Sequence, residues 1–301
     1  MNRQKLIAFS SFLFLLSALT ATFGQSRATI AQLRQQIQDT LAKQEGVFAV
    51  AFRDLSSGQQ LLIRENETFH AASTMKTPVL IEVYKQAAEK RLALTDSILI
   101  KNTFRSIVDG SPFTLGSAAD SETKLYDRIG QKIPLSTLVY EMIIMSSNLA
   151  TNLVIELVDA KKVTQTMRDL GAATIQVRRG VEDSKAFAQG LNNTTTAYDL
   201  LVIFEKIATG KAVSPEASQA MTGILLDQHF NSIIPANLPK EVRVAHKTGS
   251  ITGVHHDSGF VILPDGRQYV LALLSKDLKN DSAATKAMAS VSELIYRFVT
   301  Q

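Results

Sequence analysis

The stretch Phe69-His70-Ala71-Ala72-Ser73-Thr74-Met75-Lys76-Thr77-Pro78-Val79-Leu80 joins a polar turn to an amphipathic helix and sets a serine and a lysine three residues apart. On a helix that spacing places both side chains on one face, one turn apart. Ser73 falls in the first turn, where free backbone N–H groups and the positive dipole end stabilise a developing negative charge. A serine hydroxyl is a poor nucleophile until a base removes its proton, and a desolvated lysine near other cations has a pKa low enough to be that base. The pattern therefore points to nucleophilic chemistry at Ser73. Spacing alone is weakly specific: Ser121-Glu122-Thr123-Lys124 repeats it in a charged stretch with no apolar helix behind it, which reads as a solvated loop.

Upstream of this stretch, Ile30, Leu33, Ile37 and Leu41 recur at helical spacing and Gly46 ends the run. Val47–Phe52 and Gln60–Ile63 then flank the turn Asp54-Leu55-Ser56-Ser57-Gly58, a hairpin signal. Downstream, residues 73 to about 204 read mainly as helices, with turn punctuation at Asp109-Gly110-Ser111-Pro112, Gly130, Gly171 and Asn192–Thr196. From Val242 strand-like runs return: Val242–Ala245, Gly259–Leu263 and Tyr269–Leu274, the last two joined by the turn Pro264-Asp265-Gly266-Arg267. A closing helix from about Ser282 to Val299 turns Ala287, Val291, Leu294, Ile295 and Phe298 inward. The expected fold is α/β of the α+β sandwich kind. An antiparallel sheet is completed by both chain ends and covered by terminal helices, with an all-helical lobe alongside and the site in the cleft between them. The α/β lobe takes about 25–72 and 213–301, and the helical lobe about 73–212.

The 301 residues are 45% hydrophobic and 20% charged, ordinary globular composition. Lys and Arg exceed Asp and Glu by only 32 to 28 with no dense basic run, which argues against a nucleic-acid partner. The N-terminus carries Arg3 and Lys5, an apolar run from Leu6 to Leu16 and then small residues, so 1–24 reads as a secretory signal peptide cut after Gly24, leaving 25–301 as one catalytic domain. The run is too short for a spanning helix, so no stable membrane anchor is expected, and the destination is periplasmic or secreted. With no cysteine, the exported chain forgoes disulfides and is held by packing.

Two further motifs add specificity. Met145-Ser146-Ser147-Asn148-Leu149 sets a hydroxyl and an amide two residues apart where one apolar helix gives way to another, and His246-Lys247-Thr248-Gly249-Ser250 sets a cation, a hydroxyl and a glycine at the end of a strand. Glycine there lets a substrate approach the strand edge, and the cation can hold a carboxylate. Ser73-Thr74-Met75-Lys76, Ser146-Ser147-Asn148 and Lys247-Thr248-Gly249, in that order, resemble the three signature motifs of class A β-lactamases and penicillin-binding proteins. The resemblance runs from about Val47 to the C-terminus. It implies a serine hydrolase and monomer without metal or cofactor, acting on a β-lactam antibiotic or a peptidoglycan stem peptide. Ser73 then resembles the acylated nucleophile and Lys76 its activator. Ser146 would relay a proton to the leaving nitrogen, and Asn148 would bind the substrate's amide side chain. Lys247 and Thr248 would engage its carboxylate, and the N–H groups of Ser73 and Ser250 would form the oxyanion hole.

The chain departs from the family pattern in three places. Ser147 replaces the usual aspartate of the second motif, which puts local packing in question more than chemistry. The segment between Lys101 and Ile133 is longer than usual and reads as an extra surface loop, a flap being the other reading. The deacylating glutamate has no fixed place: counting back from Asn193-Thr194-Thr195-Thr196 puts Gly180 there, and a two-residue shift puts Glu182 there, whose plain alternative is a surface carboxylate paired with Arg178 or Arg179. With Glu182 working, the expectation is β-lactam hydrolysis. Without it, the same first half-reaction suits a D-alanyl-D-alanine peptidase or a β-lactam sensor that stays acylated. His246, His255, His256 and Asp257 lack metal-ligand spacing, since adjacent strand residues face opposite ways, and His70 reads as a packed neighbour of the nucleophile turn.

Overall fold

The computed structural model describes residues 28–301, so the signal peptide read over 1–24 lies outside the described residues. The chain opens with α1 (Ile30–Leu41), whose N-cap Thr29 forms a capping box with Gln32. It continues through the hairpin β1 (Val47–Asp54) and β2 (Gln60–Ile63). The helical middle holds α2 (Lys76–Ala88), α3 (Leu135–Ile144), α4 (Asn148–Val158), α5 (Ala160–Asp169) and the short α6 (Ser184–Ala188). Then come α7 (Ala197–Ala208) and α8 (Pro215–Leu226), followed by β3 (Arg243–Ile251), β4 (Val254–Ile262), β5 (Gln268–Lys276) and the closing α9 (Asp281–Val299).

One antiparallel sheet runs β2-β1-β5-β4-β3, so the N-terminal hairpin and the three C-terminal strands complete each other across the β1–β5 pairing. The expected mixed fold with a sheet built from both chain ends is what forms. Alternation sorts its two faces: Phe48, Val50 and Phe52 of β1 join Leu33 and Ile37 of α1 and Val291 and Ile295 of α9, while Ala49 and Ala51 face the larger core with Leu200 and Phe204 of α7. The small alanines on that inner face let α7 lie close across β1, β4 and β5. No helix among the described residues is long and apolar enough to cross a membrane.

The middle of the chain holds more than helices. Ser97–Leu99 pairs with Lys132–Pro134 and Phe104–Arg105 with Pro112–Phe113, giving the 101–133 segment its own short ladders. It is also not simply a surface loop, because Ser106, Leu115, Asp120, Glu122 and Leu125 are buried. The Ser121–Lys124 stretch is likewise not solvated throughout: the carboxylate of Glu122 accepts the Lys124 and Leu125 N–H groups.

Candidate active site

The nucleophile turn is a 3-10 turn over Ala72–Met75 that runs directly into α2. Ala72 sits at φ 45°, a left-handed conformation that costs a non-glycine residue energy. Two bonds hold the turn. His70 Nδ1 accepts the Ala72 N–H at 3.0 Å, and the Ala71 N–H donates to Asn193 O at 2.8 Å. Ser73 remains partly exposed at the floor of a cleft of about 930 Å³ between the sheet edge and the helical side. Strand β3 presses on this turn from the other side: a Cβ on Gly249 would lie 3.0 Å from the N atoms of Ser73 and Thr74, so any larger residue would force the turn or the strand to give by a few tenths of an ångström.

Lys76 points inward from the start of α2 and is fully buried. Its Nζ donates to Ser146 O at 2.6 Å, and lies 3.1 Å from both Ser146 Oγ and Asn148 Oδ1. Burial pushes its pKa down to about 7, against a smaller upward pull from Asp120 and Glu182. That shift favours the neutral amine near neutral pH far more than in free lysine, and the neutral amine is the form a general base needs. Lys247, also fully buried, reaches across from β3 to put its Nζ 3.1 Å from the same Ser146 Oγ. Burial, and then the nearby Lys76, hold the Lys247 pKa well below its ordinary value. The Ser146 hydroxyl thus bridges two lysines. It is aimed there because Ser146, the joint between α3 and α4, takes φ 57°.

Thr248, Gly249 and Ser250 line the same cleft. On its opposite side Glu182 lies exposed at φ 62°, and its Oε1 accepts the Asn148 Nδ2 at 2.7 Å. Desolvation raises its pKa, opposed by the Asn148 bond. Neither arginine pairs with Glu182. Arg179 instead donates to Leu191 O, Gly180 O and Asn192 Oδ1. Gly180, the other candidate position for the glutamate, packs on Asn152, whose Oδ1 would lie 2.2 Å from an added Cβ.

Three residues to which the sequence assigned no role build this side. Asn152 accepts the Val181 N–H at 2.6 Å and donates to Val181 O at 3.1 Å. Asn193 accepts the N–H groups of Arg178 and Arg179 and donates to Arg179 O. Asp120 caps the start of α4, accepting the Asn148 and Leu149 N–H groups. A signal for Asn152 existed, since it stands four residues after Asn148 on a largely apolar helix, where a buried amide needs partners. Nothing local marks Asp120, whose contacts span 28 residues of chain. The histidines go to structural bonds: His246 lies between Asp257 and Asn231, and His256 Nε2 is 2.9 Å from His70 O.

A serine at a helix start, with two buried lysines sharing a second serine in a cleft beside an antiparallel sheet, is the arrangement of a serine hydrolase. The chain belongs to the β-lactamase enzyme family, whose model matches residues 32–299. It is 27% identical to β-lactamase ROB-1 of Haemophilus influenzae over 88% of this chain and 80% of that protein. Against the extended-spectrum β-lactamase PER-1 of Pseudomonas aeruginosa it is 23% identical over 97% and 92%. A β-lactamase from Sphaerobacter thermophilus superposes with TM-score 0.77 at 25% identity, covering 90% of this chain and 97% of that one. PBP-A superposes with TM-score 0.77 at 28% identity, covering 91% and 98%, and a leucine-to-glutamate variant of it is described as an acyl-enzyme complex with penicillin G.

Proposed function

We propose that the protein hydrolyses the β-lactam amide through an acyl-enzyme on Ser73. The observation that carries this reading is the Ser146 hydroxyl 3.1 Å from both Lys76 Nζ and Lys247 Nζ, beside a serine at the foot of α2. Neutral Lys76 takes the Ser73 proton as Oγ attacks the lactam carbonyl. Charge growing on the carbonyl oxygen is met by the N–H groups of Ser73 and Ser250, each worth about 3 kcal/mol in such sites. The carbon–nitrogen bond then breaks, and the nitrogen takes its proton from Ser146, which is resupplied by the lysines. A substrate carboxylate arriving at Lys247 and Thr248 favours the charged form of Lys247, offsetting the burial that depresses it. The Asn148 Nδ2 spends one hydrogen on Glu182 and keeps the other for the substrate's amide carbonyl.

Hydrolysis of the ester needs a base on the open side of the cleft. Glu182 takes that role: its carboxylate is fixed by Asn148, and desolvation brings its pKa up toward the working range of a base. It removes a proton from water, whose oxygen attacks the ester carbon and frees Ser73. The leader-like residues 1–24 support export to the periplasm or beyond, where such antibiotics act.

Purified protein mixed with a chromogenic cephalosporin, followed by turnover and intact mass, tests this reading. Sustained turnover is expected, abolished in Ser73→Ala, and in Glu182→Gln replaced by an accumulating adduct on Ser73. A single stoichiometric adduct on the unaltered protein, without turnover, overturns β-lactam hydrolysis and favours a peptidase or sensor.

A further inference from the structure

The 101–133 segment brings a buried carboxylate to the second motif. Asp120 is 8% exposed. Its Oδ1 accepts the Asn148 N–H at 3.0 Å and the Glu122 N–H at 3.2 Å, and its Oδ2 accepts the N–H groups of Asn148 and Leu149, each at 2.9 Å, and the Tyr126 hydroxyl at 3.0 Å. Ser147, where the family usually has aspartate, caps only the Ala150 N–H and reaches toward Asp120 Oδ2 at 3.5 Å. The first-turn N–H groups of a helix have no partners within it, and an anion there also meets the positive end of the dipole.

Two observations tie this cap to the chemistry. Ser146 at φ 57° immediately precedes the capped turn, and a strained residue keeps its conformation only where its surroundings over-determine it. Asn148, whose N–H Asp120 holds, carries the Oδ1 that meets Lys76. We propose that Asp120 is a positioning residue for acylation: its carboxylate fixes the start of α4 so that Ser146 and Asn148 meet Lys76, and it supplies from a distant segment the charge that position 147 lacks. The acylation half of this inference rests on the acyl-serine reading above.

The carboxylates of Asp120 and Glu182 face Lys76, and the Lys247 amine is its basic neighbour. Asp120 in turn is faced by Lys76, Glu182 and, on its own segment, Tyr126 and Glu122. Removing its charge leaves Lys76 with one anion fewer, so Lys76 loses its proton at lower pH.

The test compares the full chain with Asp120→Asn and with Asp120→Asn/Ser147→Asp, the second returning a carboxylate close to where the first removed it. One readout is the rate of adduct formation on Ser73 with penicillin G, by rapid-quench intact mass sampled before the ester is hydrolysed. The other is the titration of Lys76 by NMR in protein carrying ¹³C-labelled lysine, without ligand. Asp120→Asn is expected to slow adduct formation by about tenfold to a hundredfold, as loss of alignment does. It also moves the Lys76 midpoint to lower pH, and the double variant restores both. An unchanged rate and midpoint overturn the proposal. So does a slower rate with an unmoved midpoint and no rescue, which marks a cap that only stabilises the fold. If the unaltered protein shows neither turnover of penicillin G nor an adduct, the acyl-serine reading fails on its own, while the Lys76 midpoint still decides whether Asp120 acts on that lysine.

Discussion

Lys76 and Glu182 stand on opposite sides of Asn148, 3.1 Å from its carbonyl oxygen and 2.7 Å from its amide nitrogen, yet the surroundings that hold them differ in kind. Lys76 is fully buried at the start of a helix, where α2, the α3–α4 joint and β3 converge. Glu182 is exposed on an irregular loop, in a left-handed backbone conformation, and the loop hangs on a handful of polar bonds from Asn152, Asn193 and Asp183. The acylation side is thus built into the core, where packing leaves few alternatives. The water side is attached to it, and its geometry can change without disturbing the fold. Substitutions that separate the two sides test whether this division is real.

The largest effect is expected at Lys76. Lys76→Met keeps much of the side chain's volume and removes the base, so adduct formation should fall by about a thousandfold, the middle of the range for a general base. A fall under about tenfold would place the base elsewhere. In the unaltered protein adduct formation should decline below pH 7, as Lys76 gains its proton. Stability carries the same signature. The pKa of about 7 in the fold lies below the ordinary 10.5, so between those values the unfolded chain binds more protons at this group, and its contribution makes the fold more stable as pH rises. Melting temperature measured across pH 7 to 10 should rise less steeply in Lys76→Met than in the unaltered chain.

The same division explains what could be read in the sequence. Ser73, Lys76, Ser146 and Lys247 were legible because each stands in a short motif: the spacing of three that leads into α2, the serine two residues before Asn148 at the α3–α4 joint, and the lysine before Thr248 and Gly249 on β3. The sheet was legible too, since β1 and β5 alternate in period with their two cores. Glu182 was legible only as one of two candidates. Its aim depends on φ 62° and on Asn152 gripping the neighbouring Val181, neither of which any local pattern encodes. Asp120 was hidden for the same reason, because a cap supplied across 28 residues leaves no periodicity to find.

A middle-sized effect is expected at Gly180. An added Cβ would lie 2.2 Å from Asn152 Oδ1 and 2.8 Å from its Cγ, so either the asparagine or the loop must move. Either movement breaks the pair of bonds that fixes Val181, and with them the position of Glu182 one residue on. Gly180→Ala should leave the rate of adduct formation within about twofold and lengthen the adduct's life by about tenfold, since the loss is one of alignment alone. Pulse-chase measurement of the adduct's mass separates the two rates. Equal slowing of both would mean that the loop and the acylation side are one mechanical unit.

The smallest effect is expected where the 101–133 segment meets the Glu182 loop. Ser106 Oγ donates to Asp183 Oδ1 at 2.9 Å, and the Ile107 N–H donates to its Oδ2 at 3.0 Å. Asp183 also accepts the Ala186 N–H at the start of α6, so it couples that short helix to the segment. Ser106→Ala removes one of these three donors and leaves the other two, a loss of about 1 kcal/mol. In a chain of this size that corresponds to a fall in melting temperature of about 2 °C. If the segment steadies the loop as Asp120 steadies α4, the adduct's life should lengthen slightly in Ser106→Ala while its rate of formation stays the same. The reverse pattern, slower formation with an unchanged life, would show that the segment serves only the core side, and that the Glu182 loop depends on Asn152 and Asn193 alone.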